Sequence, residues 1–227
     1  MQIGILGTGV VGQTIATALV SKGHALMIGT RDPAATLNRE TGGGQSAESF
    51  RSWQSSNPTV QLGTFAEAAR YGEVIVNATS GGGALPALAA AGADALGEKI
   101  MLDVSNPLDF SKGFPPFLTV CNTDSLGEQI QSAYPHLRVV KTLNTTNVNI
   151  MVNPALVAGG DHSLFVSGND PVAKAQVVAW LAEWFGWRDV IDLGDITTAR
   201  GSEMLLPIWL RLYGALGSPV FNFKIAR

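Results

Sequence analysis

The sequence predicts an α/β fold: a doubly wound parallel sheet with a smaller C-terminal α/β lobe that ends in a long apolar helix. Three observations predict it. A glycine-rich turn, Gly7-Thr8-Gly9-Val10-Val11-Gly12, joins the apolar run Ile3 to Leu6 to an apolar-periodic stretch from Val11 to Val20. Short apolar runs then alternate with helical stretches, as in parallel strands linked by crossover helices. From about residue 144 the pattern changes to one strand–helix–strand passage and a final helix. The boundaries that follow are 1–143 for a dinucleotide-binding Rossmann domain and 144–227 for a small lobe on the acceptor or dimer side.

The first strand and its turn carry the most specific signal. G-x-G-x-x-G alone is weak, but between a strand and a helix each glycine has its own task. Gly7 makes the tight turn, Gly9 lets the backbone approach a pyrophosphate, and Gly12 lets the helix pack on the strand. Thr8, Val10 and Val11 complete the cradle. Unpaired N–H groups at the helix start, with the helix dipole, favour the anion.

The second strand, Ala25 to Gly29, decides which dinucleotide. A carboxylate is expected near its end for NAD. Thr30 and Arg31 stand there instead. A guanidinium pairs with a 2′-phosphate through two charge-assisted bonds, and Thr30 can donate a hydroxyl, so NADP is expected. Asp32 precedes Pro33 and reads as a helix cap rather than a ribose ligand.

Further along, Gly43 to Ser56 reads as a polar helix or loop, Thr59 to Leu62 as a short strand and Phe65 to Tyr71 as a helix. Glu73 to Ala78 and Lys99 to Val104 read as buried parallel strands. The first is followed by a loop, Thr79 to Gly83, and a helix from Leu85 to Leu96. Ser125 to Tyr134 reads as a helix and Leu137 to Lys141 as another strand. Ligands in such sheets lie beyond the carboxyl ends of the strands. Those ends carry Ala78, Thr79, Ser80 and Asn106, then Lys141, Asn144, Thr146 and Asn147. Turn chemistry explains each cluster singly, whereas their joint placement points to a cofactor cleft. Lys141 is either a donor to an acceptor or phosphate or an ordinary strand-end lysine. Asn144, Thr146 and Asn147 line an acceptor side or cap the next helix. Arg200 either faces an anionic acceptor or pairs with Glu203 three residues on.

In the last third, Ser163 to Gly168 and Asp189 to Leu193 read as strands around a helix that starts at Pro171 and runs to Phe185. Its Trp180 and Trp184 face the core. The final helix, Thr198 to Leu216, is apolar around much of its surface, so it is expected to be buried on several sides, covering the cleft or forming the face of a homodimer, with a kink at Pro207.

Composition narrows the classes. The chain has 227 residues, a formal net charge of -3 and one cysteine, Cys121. No basic patch suggests nucleic acid. The uncharged stretch Val74 to Ala93 contains Asn77, Gly81 to Gly83 and Pro86, which excludes it as a membrane span. A strand starting at Gln2 leaves no room for a leader, and a lone cysteine, read as a small buried hydrophobe, fits a reducing cytoplasm. His24, His136 and His162 have no metal-ligand spacing, so no metal is expected. No Ser/His/Asp set or paired carboxylate stands out, and no catalytic side chain is assigned. Hydride transfer needs positioning more than side-chain chemistry.

The opening Ile3 to Gly12, the Gly29-Thr30-Arg31 strand end, Val139 to Met151, Phe165 to Asp170, Asp192 to Gly194 and the closing Ala199 to Phe223 resemble the NADPH-dependent reductases of coenzyme F420, a deazaflavin. The resemblance spans essentially the whole chain. It implies an NADP-binding Rossmann domain, a small C-terminal domain, and the deazaflavin stacked against the nicotinamide between them, with Thr30 and Arg31 gripping the 2′-phosphate. At Asn144 the chain departs from a histidine common in that family, which leaves the acceptor open. The alternatives are an NADPH-dependent reductase of flavin, ferric chelate or a small carbonyl or imine, and a binding protein that senses NADPH without turnover.

Overall fold

The computed structural model describes residues 1–40 and 48–227. Its core is an eight-stranded sheet in the order β3-β2-β1-β4-β5-β8-β9-β10. The first six positions are β3 (Gln61–Thr64), β2 (Ala25–Thr30), β1 (Gln2–Leu6), β4 (Val74–Asn77), β5 (Ile100–Asp103) and β8 (Arg138–Thr142), all parallel. That is the doubly wound dinucleotide-binding order, which reverses direction beside β1. The central strands β4 and β5 are buried throughout because helices cover both faces of the sheet.

On one face, α1 (Val10–Ser21), α8 (Val148–Val152) and α9 (Pro171–Trp180) share a core with Ile3, Ile5 and Leu102. On the other, α4 (Phe65–Tyr71), α5 (Gly81–Ala91), α6 (Ala93–Leu96) and α7 (Leu126–Ala133) pack on Leu6, Ile75 and Met101. Short helices α2 (Pro33–Asn38) and α3 (Phe50–Ser56) flank the β2–β3 edge. The expected segment Gly43 to Ser56 is helical from Phe50, and its residues 43–47 lie outside the described residues. A two-stranded ribbon, β6 (Leu108–Asp109) with β7 (Phe117–Leu118), rises beyond β5.

The helices start where short side chains can cap them. Asp32 accepts from the Ala35 amide at 2.9 Å, with Pro33 in the first turn, as expected of a cap. Thr64 and Glu67 form a reciprocal capping box, and Asp170 accepts from the Val172 and Ala173 amides ahead of Pro171.

Four expectations need correction. First, the sheet is not wholly parallel, and the strands beyond residue 144 extend it. β9 (Ser163–Ser167) joins β8 antiparallel, and β10 (Asp189–Asp192) joins β9 parallel through α9. Second, the final long apolar helix is two helices, α10 (Ala199–Met204) and α11 (Leu206–Leu216). Pro207 has no N–H for the Glu203 carbonyl and would crowd it, so the helix stops at Leu205. A new one starts with Pro207 in its first turn, where the missing N–H costs nothing. Leu206 and Leu210 of α11 are buried, whereas Ile208 and Leu216 are exposed. Third, Gly81 to Gly83 is the first turn of α5, not a loop. The chain there abuts the β5 end so closely that a Cβ on Gly81 would lie 2.1 Å from the Asn106 carbonyl oxygen. Fourth, Cys121 is exposed. Trp180 and Trp184 are buried and stacked with ring centroids 5.1 Å apart, as core residues. Among the described residues no helix is long and apolar enough to cross a membrane, and no cluster of three or more His, Cys, Asp or Glu could hold a metal.

Candidate active site

Gly7 turns the chain with φ of +119°, a conformation that a Cβ opposes. Its N–H reaches the Gly29 carbonyl at 3.0 Å, and a Cβ would stand 2.6 Å from the Ala78 carbonyl oxygen. At Gly12 a Cβ would lie 2.2 Å from the Gly7 oxygen, so this residue keeps α1 against the turn. Gly9 differs: nothing lies within 4 Å of its Cβ position. It caps α1 without a side-chain bond, and the first turn of α1 contains no acid. The amides of Val10, Val11 and Gly12 precede the first helical bond, from Gln13 to Gly9. Open space at Gly9, free amides and no competing carboxylate fit a pyrophosphate. Thr8 contributes its carbonyl, which accepts from Gln13 Nε2 at 2.8 Å.

At the end of β2, Arg31 is exposed and pairs with no described residue. Asp32 is turned to its own helix, so the guanidinium is free for a 2′-phosphate. Thr30 departs from expectation. Its buried Oγ1 lies 2.9 Å from Thr36 Oγ1, and the Thr36 proton goes to the Asp32 carbonyl at 2.8 Å. Each hydroxyl has one proton, so Thr30 donates inward to Thr36. Its role is to brace the loop that holds Arg31.

The ends of β4, β5 and β8 are wired together. Asn77 Nδ2 donates to Asp103 Oδ1 at 2.9 Å, and its Oδ1 accepts from the Thr79 hydroxyl at 2.7 Å. The Ser105 hydroxyl donates to Asp103 at 2.6 Å. Ser80 starts α5 without a side-chain cap bond. Asn106 and Asn144 clasp each other: Asn106 Nδ2 donates to the Asn144 carbonyl at 2.8 Å, and Asn144 Nδ2 to Asn106 Oδ1 at 3.0 Å. Leu143, just before, has φ of +60°, uncommon for a side-chain-bearing residue. Asn147 caps α8 through the Asn149 amide at 3.0 Å while lining the cleft.

Two expected acceptor residues lie elsewhere. The Lys141 side chain is fully buried, 2.6 Å from Asp103 and 2.9 Å from Glu203, and donates to the Ser105 carbonyl at 2.8 Å. Burial pushes its pKa down, but the Asp103 and Glu203 charges outweigh that and raise it, so the ammonium stays charged. Glu203 also accepts from the Leu126 and Gly127 amides at 2.8 and 3.0 Å, at the start of α7. Lys141 therefore braces strands, α7 and α10, and does not reach the cleft. Arg200 does not pair with Glu203. Its Nε reaches Glu128 at 2.8 Å, and that hydrogen bond is the main cause holding Glu128 below the ordinary carboxylate value.

A cleft of about 360 Å³ opens over these strand ends. Val10 and Val11 line one side, and Ala78, Thr79, Ser80, Asn106, Asn144, Thr146 and Asn147 line the floor. The roof comes from α11, the helix expected to cover the cleft or form a dimer face, and from the β6–β7 ribbon: Trp209, Tyr213, Phe110 and Phe114, none of them named as site residues from the sequence. Its signal was a terminal helix too apolar for a solvated surface. Asp103 and Glu203 were missed too: a carboxylate ending an apolar strand looks like turn chemistry, and Glu203 has helical pair spacing with Arg200.

Comparison with known proteins places the chain. Residues 2–107 match the family described as NADP oxidoreductase, coenzyme F420-dependent. A solved structure from Arthrobacter sp. FB24, provisionally described as an F420-dependent NADP reductase, is 57% identical, covers 99% of each chain and superposes with a TM-score of 0.94. The metalloreductase STEAP3 of Rattus norvegicus is 28% identical over 215 residues, 92% of this chain, which spans only 38% of that relative's length. A reductive aminase of Aspergillus terreus, solved with NADPH and ethyl levulinate, shares the fold at 16% identity, with a TM-score of 0.62 and coverage of 95% of this chain and 62% of that one. The chain belongs to the coenzyme F420-dependent NADP oxidoreductase family and is an NADP-dependent oxidoreductase.

Proposed function

We propose that this protein transfers hydride between NADPH and a deazaflavin, coenzyme F420. One observation carries the reading: the start of α1 and the aromatic roof face the same cleft. A nicotinamide reached from Val10 and Val11 would thus meet a planar ring under Trp209 and Tyr213. When bound, the two cofactors would supply the chemistry: a hydride, with its electron pair, from C4 of the dihydronicotinamide to C5 of the deazaflavin, with a proton from water taken up at N1 of the ring. The residues supply the rest. The α1 amides hold the pyrophosphate, and Arg31 the 2′-phosphate. The Asn106–Asn144 clasp fixes the floor, and the aromatic roof excludes water and sets the approach of the rings.

On this reading residues 1–143 bind the dinucleotide and residues 144–227 supply the acceptor side. Exposed Phe117, Ile208, Leu216 and Val220 suit pairing of two copies as a homodimer, which sedimentation equilibrium reads directly. The catalytic test is a stopped-flow screen of NADPH oxidation against deazaflavin, FMN, FAD and ferric chelate. Fast oxidation with the deazaflavin and none with FMN is the expected result. Preference for flavin or ferric chelate would move the assignment to those acceptors, and tight NADPH binding without any turnover would make the protein a sensor.

A further inference from the structure

We infer that residues 221–225 form a strap that fastens the roof of the cleft, and that its clasp, Asn222 on His162, closes only on a neutral imidazole, so that proton uptake at His162 frees the roof. The strap is independent of the acceptor's identity; its effect on a ring under Trp209 rests on the proposed function.

Of the residues of α11, only Leu206 and Leu210 are buried, so the helix has little hold of its own. Beyond it the chain turns back. Pro219 lines the cleft, and Phe221 stacks on Trp209 with ring centroids 5.2 Å apart. The residues that follow are tied to the start of β9. Because β9 runs antiparallel to β8, with Val166 beside Thr142, its start lies at the cleft end of the sheet. There the Ser163 amide donates to the Phe223 carbonyl at 2.9 Å, and the Ile225 amide donates to Ser163 Oγ at 3.0 Å. Asn222, next to Phe221, binds at the same place.

The hydrogen-bond roles at this clasp are determined. The Ser163 carbonyl can only accept, so the Asn222 atom 3.0 Å away is Nδ2. Nδ2 also lies 2.8 Å from His162 Nδ1 and gives it the second amide proton. Nδ1 therefore presents a lone pair. Nε2, 2.8 Å from the Pro154 carbonyl, carries the ring's proton. The imidazole, 2% exposed, is thus held neutral in one tautomer. A proton on Nδ1 would set donor against donor. Turning the amide over would instead place Oδ1 3.0 Å from the Ser163 carbonyl oxygen, acceptor against acceptor.

The charged groups around the ring are engaged with one another. Asp161 pairs with Lys224 of the strap, and Asp189 accepts from Ser163 Oγ at 2.6 Å and from Arg227 at 2.7 Å. Arg188 donates to the Gly159 carbonyl, and the Trp187 ring meets His162 edge-on at 5.1 Å. An imidazolium here has no carboxylate bonded to it, so the strap yields when the proton arrives.

The test is hydrogen exchange of the Ser163 and Ile225 amides in the full chain loaded with NADP, from about pH 8 to about pH 5, the span in which histidines change charge. Protection, corrected for the intrinsic rate, should fall by about tenfold on acidification, as loss of two hydrogen bonds does. His162→Asn keeps an acceptor at the Nδ1 position and takes up no proton, so its protection should stay flat. Asn222→Ala should be unprotected at both ends of the range. Flat protection in the unaltered chain, the same acid loss in His162→Asn, or full protection in Asn222→Ala overturns the inference. Should His162→Asn not fold, nitrogen spectra of labelled histidines in the unaltered chain decide: protection must fall along the His162 titration, and a fall on another curve overturns it.

With the deazaflavin at acid pH, KM in the unaltered chain should exceed that in His162→Asn by about threefold, as loss of one aromatic contact does, with kcat and the Kd of NADP alike. Equal KM values would show that the strap does not govern the roof. If no ring is reduced at any pH, the proposed function fails, and the exchange measurement still judges the strap.

Discussion

Glu203→Ala should destabilise the fold by about 3–5 kcal/mol, the cost of breaking a buried charge pair by removing one partner. The carboxylate serves three donors at once: Lys141 Nζ at 2.9 Å and the Leu126 and Gly127 amides at 2.8 and 3.0 Å. Without it, the buried ammonium keeps Asp103 as its sole carboxylate and two amides at the start of α7 lose their acceptor. Because Glu203 sits on α10, its loss also loosens α11, which carries Trp209 and Tyr213. Glu203→Gln retains an oxygen for the amides and should cost less. The Lys141 pKa is raised in the fold. The stability that this group contributes is therefore complete below its unfolded value and lost only as pH climbs through the raised folded value. The deficit of Glu203→Ala should accordingly be flat through neutral pH. Urea unfolding reads it from the midpoint at constant slope; a loss under about 1 kcal/mol would show that the buried network does not hold the helix.

Arg31→Ala should weaken NADPH by about 1.5–3 kcal/mol, the range for hydrogen bonds to charged groups, or roughly tenfold to hundredfold in Kd. NADH lacks the 2′-phosphate and should change little. The guanidinium is exposed and pairs with no described residue, so its interaction is screened and the NADPH penalty should shrink as salt rises. Titration of both dinucleotides into both proteins decides it. Equal losses for NADPH and NADH would remove the 2′-phosphate from Arg31.

Local chemistry made much of this legible in the sequence. The glycine turn, the Asp32 cap ahead of Pro33, the helix start at Pro171 and the strand–helix alternation are each decided within a few residues, and the structure keeps them. Strand direction is not local. Ser163 to Ser167 is buried throughout, and a strand buried on both faces reads alike in either direction, so its antiparallel pairing with β8 was hidden. Ion-pair partners were hidden for a similar reason. Arg200 and Glu203 have helical pair spacing, yet Arg200 finds Glu128 and Glu203 finds Lys141 only once the chain is folded. Lys141 looked available at a strand end because nothing nearby in sequence reveals the two carboxylates that enclose it. That the apolar final helix covers the cleft was legible, but which of its side chains form the wall was not, since Trp209 and Tyr213 meet the cleft only when α11 is laid across the strand ends.

On the proposed function, hydride passes directly from NADPH to a ring held in the same cleft. Single-turnover reduction of the deazaflavin with NADPH deuterated at C4, on each prochiral side in turn, tests it most directly. Deuterium is expected at C5 of the reduced deazaflavin from one of the two labelled forms, at a rate that follows NADPH oxidation. NADPH oxidation with no deuterium in the ring from either form, or no oxidation beside a bound deazaflavin, would contradict it.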